Sequence, residues 1–150
     1  VRSLIIILAT GFLCGGTAYP GMQNWYHPHR MALAGSGGAF SSVTSDVINP
    51  ASLLTLKKQF DVSFISYPAN ISAQSFHLVL PGKASVTAYG LRHMNYGLFE
   101  GRDQYNLVTD LYSASDTWFD YSASGHSSQW PISWGVSAGL FFSSIEKSNQ

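Results

Sequence analysis

Charge is the first thing this 150-residue chain is short of. Asp, Glu, Lys and Arg make up 11% of it, and they cancel to a net charge of zero; soluble domains carry about a quarter. No basic patch or stripe stands out, so nucleic acid is not an expected partner. Cysteine is nearly missing too. Cys14 is the only one, so a disulfide framework is excluded and the fold must close by backbone hydrogen bonding and packing. The apolar run at residues 4–13 is too short for a membrane-spanning helix, which needs about 20 residues.

Catalytic and ligand-binding signatures are equally scarce. The run 35–40, GSGGAF, lacks the Gly-Lys-Ser/Thr ending of a phosphate loop, and Phe40 occupies the last glycine position of a dinucleotide fingerprint. His27 and His29 flank Pro28 without a Cys or carboxylate at ligand spacing, which reads as an exposed pair rather than a metal site. No Gly-x-Ser-x-Gly elbow frames a serine nucleophile. The sequence therefore predicts a non-enzyme with no catalytic residues, no metal and no cofactor. Asn70-Ile71-Ser72 matches a glycosylation acceptor, a three-residue pattern that occurs often by chance and is set aside.

What is abundant is aromatic and small. The chain has nine Phe, eight Tyr, four Trp and 14 Gly. At the N-terminus, Arg2, the apolar run and Gly16-Thr17-Ala18 match a secretory signal peptide cleaved after Ala18. The alternative is a frayed N-terminal strand or helix. Leu13 rather than a small residue precedes Cys14, which argues against lipidation. Residues 19–58 form a Gly-, Ala- and Ser-rich segment with turn signals at Pro28 and Pro50.

From residue 59 the pattern has a period of two, the signature of strands. Five strands are expected, at about 59–66, 74–80, 84–94, 117–125 and 132–143. In the last, Ile132, Trp134, Val136, Ala138, Leu140 and Phe142 alternate with Ser133, Gly135, Ser137, Gly139, Phe141 and Ser143. A face in water would carry Lys or Glu, and this one carries none. Apolar residues toward lipid and small or polar ones toward a lumen fit a transmembrane strand, where a charge on the lipid side costs about 2–4 kcal/mol at the midplane. Strand lengths of about eight to twelve residues suit a tilted crossing of about 9–11 residues. Turns are expected at 68–70 and 81–83, and a long polar connection at 95–115, in keeping with alternating short turns and long external loops. Trp118, Phe119, Tyr121, Trp130 and Trp134 are expected as an interfacial aromatic girdle. Asp61, His77, Arg92 and Asp120 fall within strands and are expected to face the lumen, pairing with one another, binding a solute, or holding the N-terminal segment. A soluble exported β-sandwich that binds a ligand is the other class of fold this pattern allows.

Several segments carry a resemblance. Gly35, Gly37, Gly38, Ala39 and Phe40, then Asp46, then Asn49, Pro50 and Ala51 resemble the N-terminal signature of the PorV/PorQ group, which is related to FadL-type outer-membrane transporters. Asn95, Tyr96, Gly97 and Phe99, the YSASD run ending at Asp116, and GLFFSSIEK at 139–147 are similar to PorQ in particular. The resemblance implies an all-β protein, an antiparallel transmembrane β-barrel of the bacterial outer membrane, with a short N-terminal segment in or below its lumen. It implies a non-enzymatic part in type IX secretion, which places surface-attached proteins outside the outer membrane of the Bacteroidetes and their relatives. The partners it implies are membrane lipid and other secretion or surface-attachment proteins. FadL-type relatives instead pass hydrophobic small molecules. Bacterial barrels have eight or more strands, so the chain is expected to be the N-terminal part of a longer polypeptide, with residues 59–150 supplying the first strands.

Overall fold

A computed structural model of the chain describes residues 28–32, 41–44 and 48–147. The expected leader at 1–18, His27, the glycine cluster at 35–40 and Asp46 lie outside the described residues. Among the described residues helix is slight: α1 (Pro28–Ala32) and a 3-10 helix, η1 (Pro50–Thr55). The rest is one all-β meander of β1 (Gln59–Ser66), β2 (Ser72–Pro81), β3 (Ser85–Arg102), β4 (Val108–His126) and β5 (Ser133–Lys147). The strands pair antiparallel in sequence order, leaving β1 and β5 as the edges of an open sheet.

The turns form where turn chemistry stands in the sequence. Tyr67 N–H donates to the Ile71 carbonyl at 2.8 Å, with Ala69 and Asn70 at φ 63° and 58°; asparagine tolerates that left-handed region better than most residues. Gly82 N–H donates to the Ser85 carbonyl at 2.7 Å and closes the β2–β3 turn. Asn49 is extended (φ −145°), and its carbonyl accepts from Ser52 N–H at 3.0 Å, with Pro50 opening η1. Asn-Pro thus starts a helical turn, as proline does at a first helical position.

One expectation is overturned. The connection at 95–115 is not a long loop. β3 runs on to Arg102 and β4 starts at Val108, which leaves residues 103–107, closed by Asp103 Oδ1 accepting from the Tyr105 and Leu107 N–H groups at 2.8 and 2.9 Å. The marked asymmetry of loop lengths expected from the sequence is therefore absent among the described residues. The added ladder lacks an apolar alternation because most of its cross-strand pairs set a polar residue against an apolar one, as in Leu98–Ser113, Glu100–Leu111 and Arg102–Val108. A bulge at Asn95/Leu98 re-aims the strand where Gly97 takes φ 75°. Such bulges insert an unpaired residue and sharpen the local twist.

The two faces of the sheet differ in kind. η1 covers one, called inner below. Leu53 of η1 is fully buried against Val79, Val86 and Ala88, flanked by Val43, Leu54 and Leu56. Burying such a leucine is worth about 1.5–3 kcal/mol. Gly135 makes the approach possible, because a Cβ there would stand 2.6 Å from the Pro50 carbonyl carbon and collide with Ala51.

The outer face is apolar and bare. Rows read across the five strands from the register are Phe60–Leu78–Tyr89–Tyr121–Ala138 and Val62–Phe76–Leu91–Phe119–Leu140. Phe60, Val62 and Leu140 are 70%, 67% and 65% exposed. Below them come Leu80, Thr87, Ala123 and Val136, and above them Phe64, Gln74, His93, Thr117 and Phe142. None of these positions is charged. Along β5 the apolar series from Trp134 to Phe142 covers eight residue steps, about 27 Å of strand. Five strands at about 4.8 Å spacing make the face about 24 Å wide, so it exceeds the few hundred Å² of contiguous apolar surface that is usual for a soluble monomer.

Candidate functional site on the inner face

The middle of the inner face carries charge that the apolar rows of the outer face lack. Asp61 pairs across the ladder with His77, His77 with Gly90, Gly90 with Asp120, and Asp120 with Gly139. Ser63, Ser75, Arg92, Trp118 and Phe141 form the adjacent row. All four polar residues singled out from the sequence, Asp61, His77, Arg92 and Asp120, therefore share one face in two neighbouring rows. That placement follows from strand parity alone.

The register then makes a buried ion pair. Arg92 Nη2 donates to Asp120 Oδ1 at 2.9 Å, and each side chain is only 6% exposed. The guanidinium also lies 4.7 Å from the centroid of the Trp118 ring, a distance at which the ring's quadrupole attracts a cation. Two glycines make room. A Cβ at Gly90 would collide with the Asp120 carboxylate, and one at Gly139 would stand 2.6 Å from Trp118 Nε1. Ser63 Oγ donates to Asp61 Oδ1 at 3.0 Å. His77 is buried, and like Asp61, Arg92 and Asp120 it is engaged rather than free.

Trp118 corrects the aromatic girdle. It shares parity with Asp120, so its indole lies on the inner face under Arg92 and tilted against Phe141, with centroids 6.1 Å apart. Phe119 and Tyr121 do point outward, but from the middle of the band rather than its ends; Tyr121 packs on Tyr89 at 5.4 Å and Phe119 edge-on to Phe142 at 6.2 Å. Trp130 and Trp134 alone hold positions at a strand end. The signal that separates Trp118 from its neighbours was available in the alternation TWFDY.

The residues that carried the resemblance have separate structural duties. Asn49, Pro50 and Ala51 set η1 on the inner face. Asn95, Tyr96, Gly97 and Phe99 build the bulged upper part of the β3–β4 hairpin: Gly97 N–H donates to Asn95 Oδ1 at 2.7 Å, Tyr96 Oη to Asp116 Oδ2 at 2.7 Å, and Phe99 stacks on Tyr112 at 6.0 Å. A Cβ on Gly97 would lie 3.1 Å from the Ala69 carbonyl oxygen, so the bulge fits closely against the β1–β2 turn. The resemblance-bearing residues at 49–51 and 95–99 do not converge with the Arg92–Asp120 pair into one pocket.

Chemically, the inner cluster ties β3 to β4 and puts polar groups on a face whose lower end is closed by η1. Among the described residues, no three His, Cys, Asp or Glu side chains converge to hold a metal ion, and no helix is long and apolar enough to cross a membrane. The class the fold defines is an all-β antiparallel meander with a buried ion pair in the middle of one face and a bare apolar band across the middle of the other. No family model, curated protein or solved structure matches this chain.

Proposed function

We propose that the chain forms part of an antiparallel β-barrel in a bacterial outer membrane, reached by way of the signal peptide at 1–18. The observation that carries this reading is the inversion of the two faces. The uncharged apolar band stays bare, while the ion pair Arg92–Asp120 is buried on the opposite side. In water this arrangement leaves a large apolar surface uncovered; in lipid it is the favourable one. The edges β1 and β5 then require partners, because an unpaired backbone edge has no hydrogen-bonding water in the bilayer core. In this reading strands beyond these five close the barrel, and the inner face becomes the lumen with η1 against its wall.

Within that class, the resemblance at residues 35–51, 95–99 and 112–116 supports a PorQ/PorV-like role: a non-enzymatic component of type IX secretion and surface attachment. The inner face favours this over a FadL-like conduit for hydrophobic solutes, since a charged row rather than an apolar lining crosses its middle. Alkaline carbonate extraction of membranes from expressing cells is the test. A barrel stays in the membrane pellet, and crosslinking from it captures secretion or surface-attachment proteins. Release into the supernatant would replace this reading with an exported sandwich whose apolar band is covered by protein.

A further inference from the structure

The two ends of the sheet differ in charge. At the end where η1 sits, Lys57 and Lys58 precede β1 and Lys83 occupies the β2–β3 turn; all three are exposed. Antiparallel pairing brings them together, since Gln59 stands opposite Val79 and Pro81 opposite Val86. No Asp or Glu occurs in 48–60, 78–88 or 121–137, the segments that make up this end. None of the three lysines enters an ion pair among the described residues. At the other end, among the described residues, Glu100, Asp103, Asp110, Asp116 and Glu146 face Arg102 and Lys147, five carboxylates against two cations, and both cations are already paired, with Glu100 at 2.7 Å and Asp110 at 2.8 Å.

Lys58 immediately precedes β1, two residues before the outward-facing Phe60. A lysine there can keep its stem along the apolar band and lift its ammonium to the rim. The same end carries exposed Trp130 and Trp134 on the β4–β5 side, and indoles favour the headgroup level of a bilayer. A basic corner, an indole corner and an apolar band directly above them are together the complement of an anionic bilayer leaflet.

We infer that this end of the sheet is a headgroup-binding rim, with Lys57, Lys58 and Lys83 taking the phosphates of anionic phospholipids in the leaflet nearest η1. The inference rests on the reading that the outer face lies in lipid. It also fixes the orientation: the η1 end sits at the anionic phospholipid leaflet and the acidic β3–β4 hairpin projects from the opposite side.

The test folds the full chain from urea into vesicles of phosphatidylcholine, alone or mixed with phosphatidylglycerol, and measures partition by flotation. Tighter partition on the mixed vesicles is expected. Each lysine near an anionic surface is worth about fivefold, so K57Q/K58Q/K83Q should lose about a hundredfold at low salt. High salt should abolish the wild-type preference, and K147Q, at the acidic end, should retain it. Equal partition on both vesicles, or a preference that survives the triple variant, overturns the headgroup rim and leaves the lipid-facing band standing. Absence from both kinds of vesicle overturns the band and the rim together.

Discussion

Removing one member of the Arg92–Asp120 pair should destabilise the sheet far more than removing both. At 2.9 Å and an effective dielectric of 20, the two charges attract by about 6 kcal/mol. Burial costs each ion several kcal/mol of lost hydration, so the intact pair comes close to balance. Arg92→Met leaves the Asp120 carboxylate in the niche made by Gly90, Gly139 and Trp118 with its main cation gone, at an expected cost of about 3–5 kcal/mol. Asp120→Asn keeps the shape of the side chain and removes the charge. The double variant R92M/D120N should therefore recover at least about 2 kcal/mol of the Arg92→Met loss, because no uncompensated ion remains. Equilibrium urea unfolding in detergent micelles, followed by the far-ultraviolet strand signal, gives the four free energies of the cycle. A cost below about 1 kcal/mol for Arg92→Met with no coupling to Asp120 is what an exposed pair gives, and it would refute the buried row.

Other positions give independent checks. Gly135→Val puts two methyl groups where Pro50 and Ala51 cross the inner face; η1 should lift, with a loss of about 1–3 kcal/mol and faster proteolysis within 48–56. Leu91→Lys places a charge in the middle of the outer face; folding into vesicles should weaken by about 2–4 kcal/mol, whereas a neutral or solubilising effect would mean that this face meets water.

Sequence alternation revealed much of this architecture, and its failures have physical causes. QFDVSFIS coincides with β1 because every second residue there is Phe or Val. The four inner polar residues were legible for the same reason, since a period of two assigns the face before any partner is known. The ion pair itself was not, because Arg92 and Asp120 meet only through the β3–β4 register, fixed by a hairpin turn at 103–107. That hairpin was hidden because Asn95, Ser113 and Ser115 lack the apolar alternation that marks a half-buried strand. What holds it is specific: the Gly97 bulge, the Tyr96–Asp116 hydrogen bond and the Phe99–Tyr112 stack. Asn49-Pro50 announced a turn, but the docking of η1 depended on a missing side chain at Gly135, more than eighty residues away in sequence.

The most direct test of the lipid-facing outer surface is a nitroxide scan of β5. Single cysteines at positions 136–138 and 140–142, leaving out Gly139 where a side chain would meet Trp118, are labelled in a Cys14→Ser background in the full chain folded into vesicles. Collisions with oxygen, which concentrates in lipid, are compared with collisions with a water-soluble nickel chelate. Labels at Val136, Ala138, Leu140 and Phe142 should meet oxygen and be shielded from nickel, and labels at Ser137 and Phe141 should not share that exposure. Nickel-accessible labels at the even positions, or labels shielded from both reagents because protein covers them, would contradict the account.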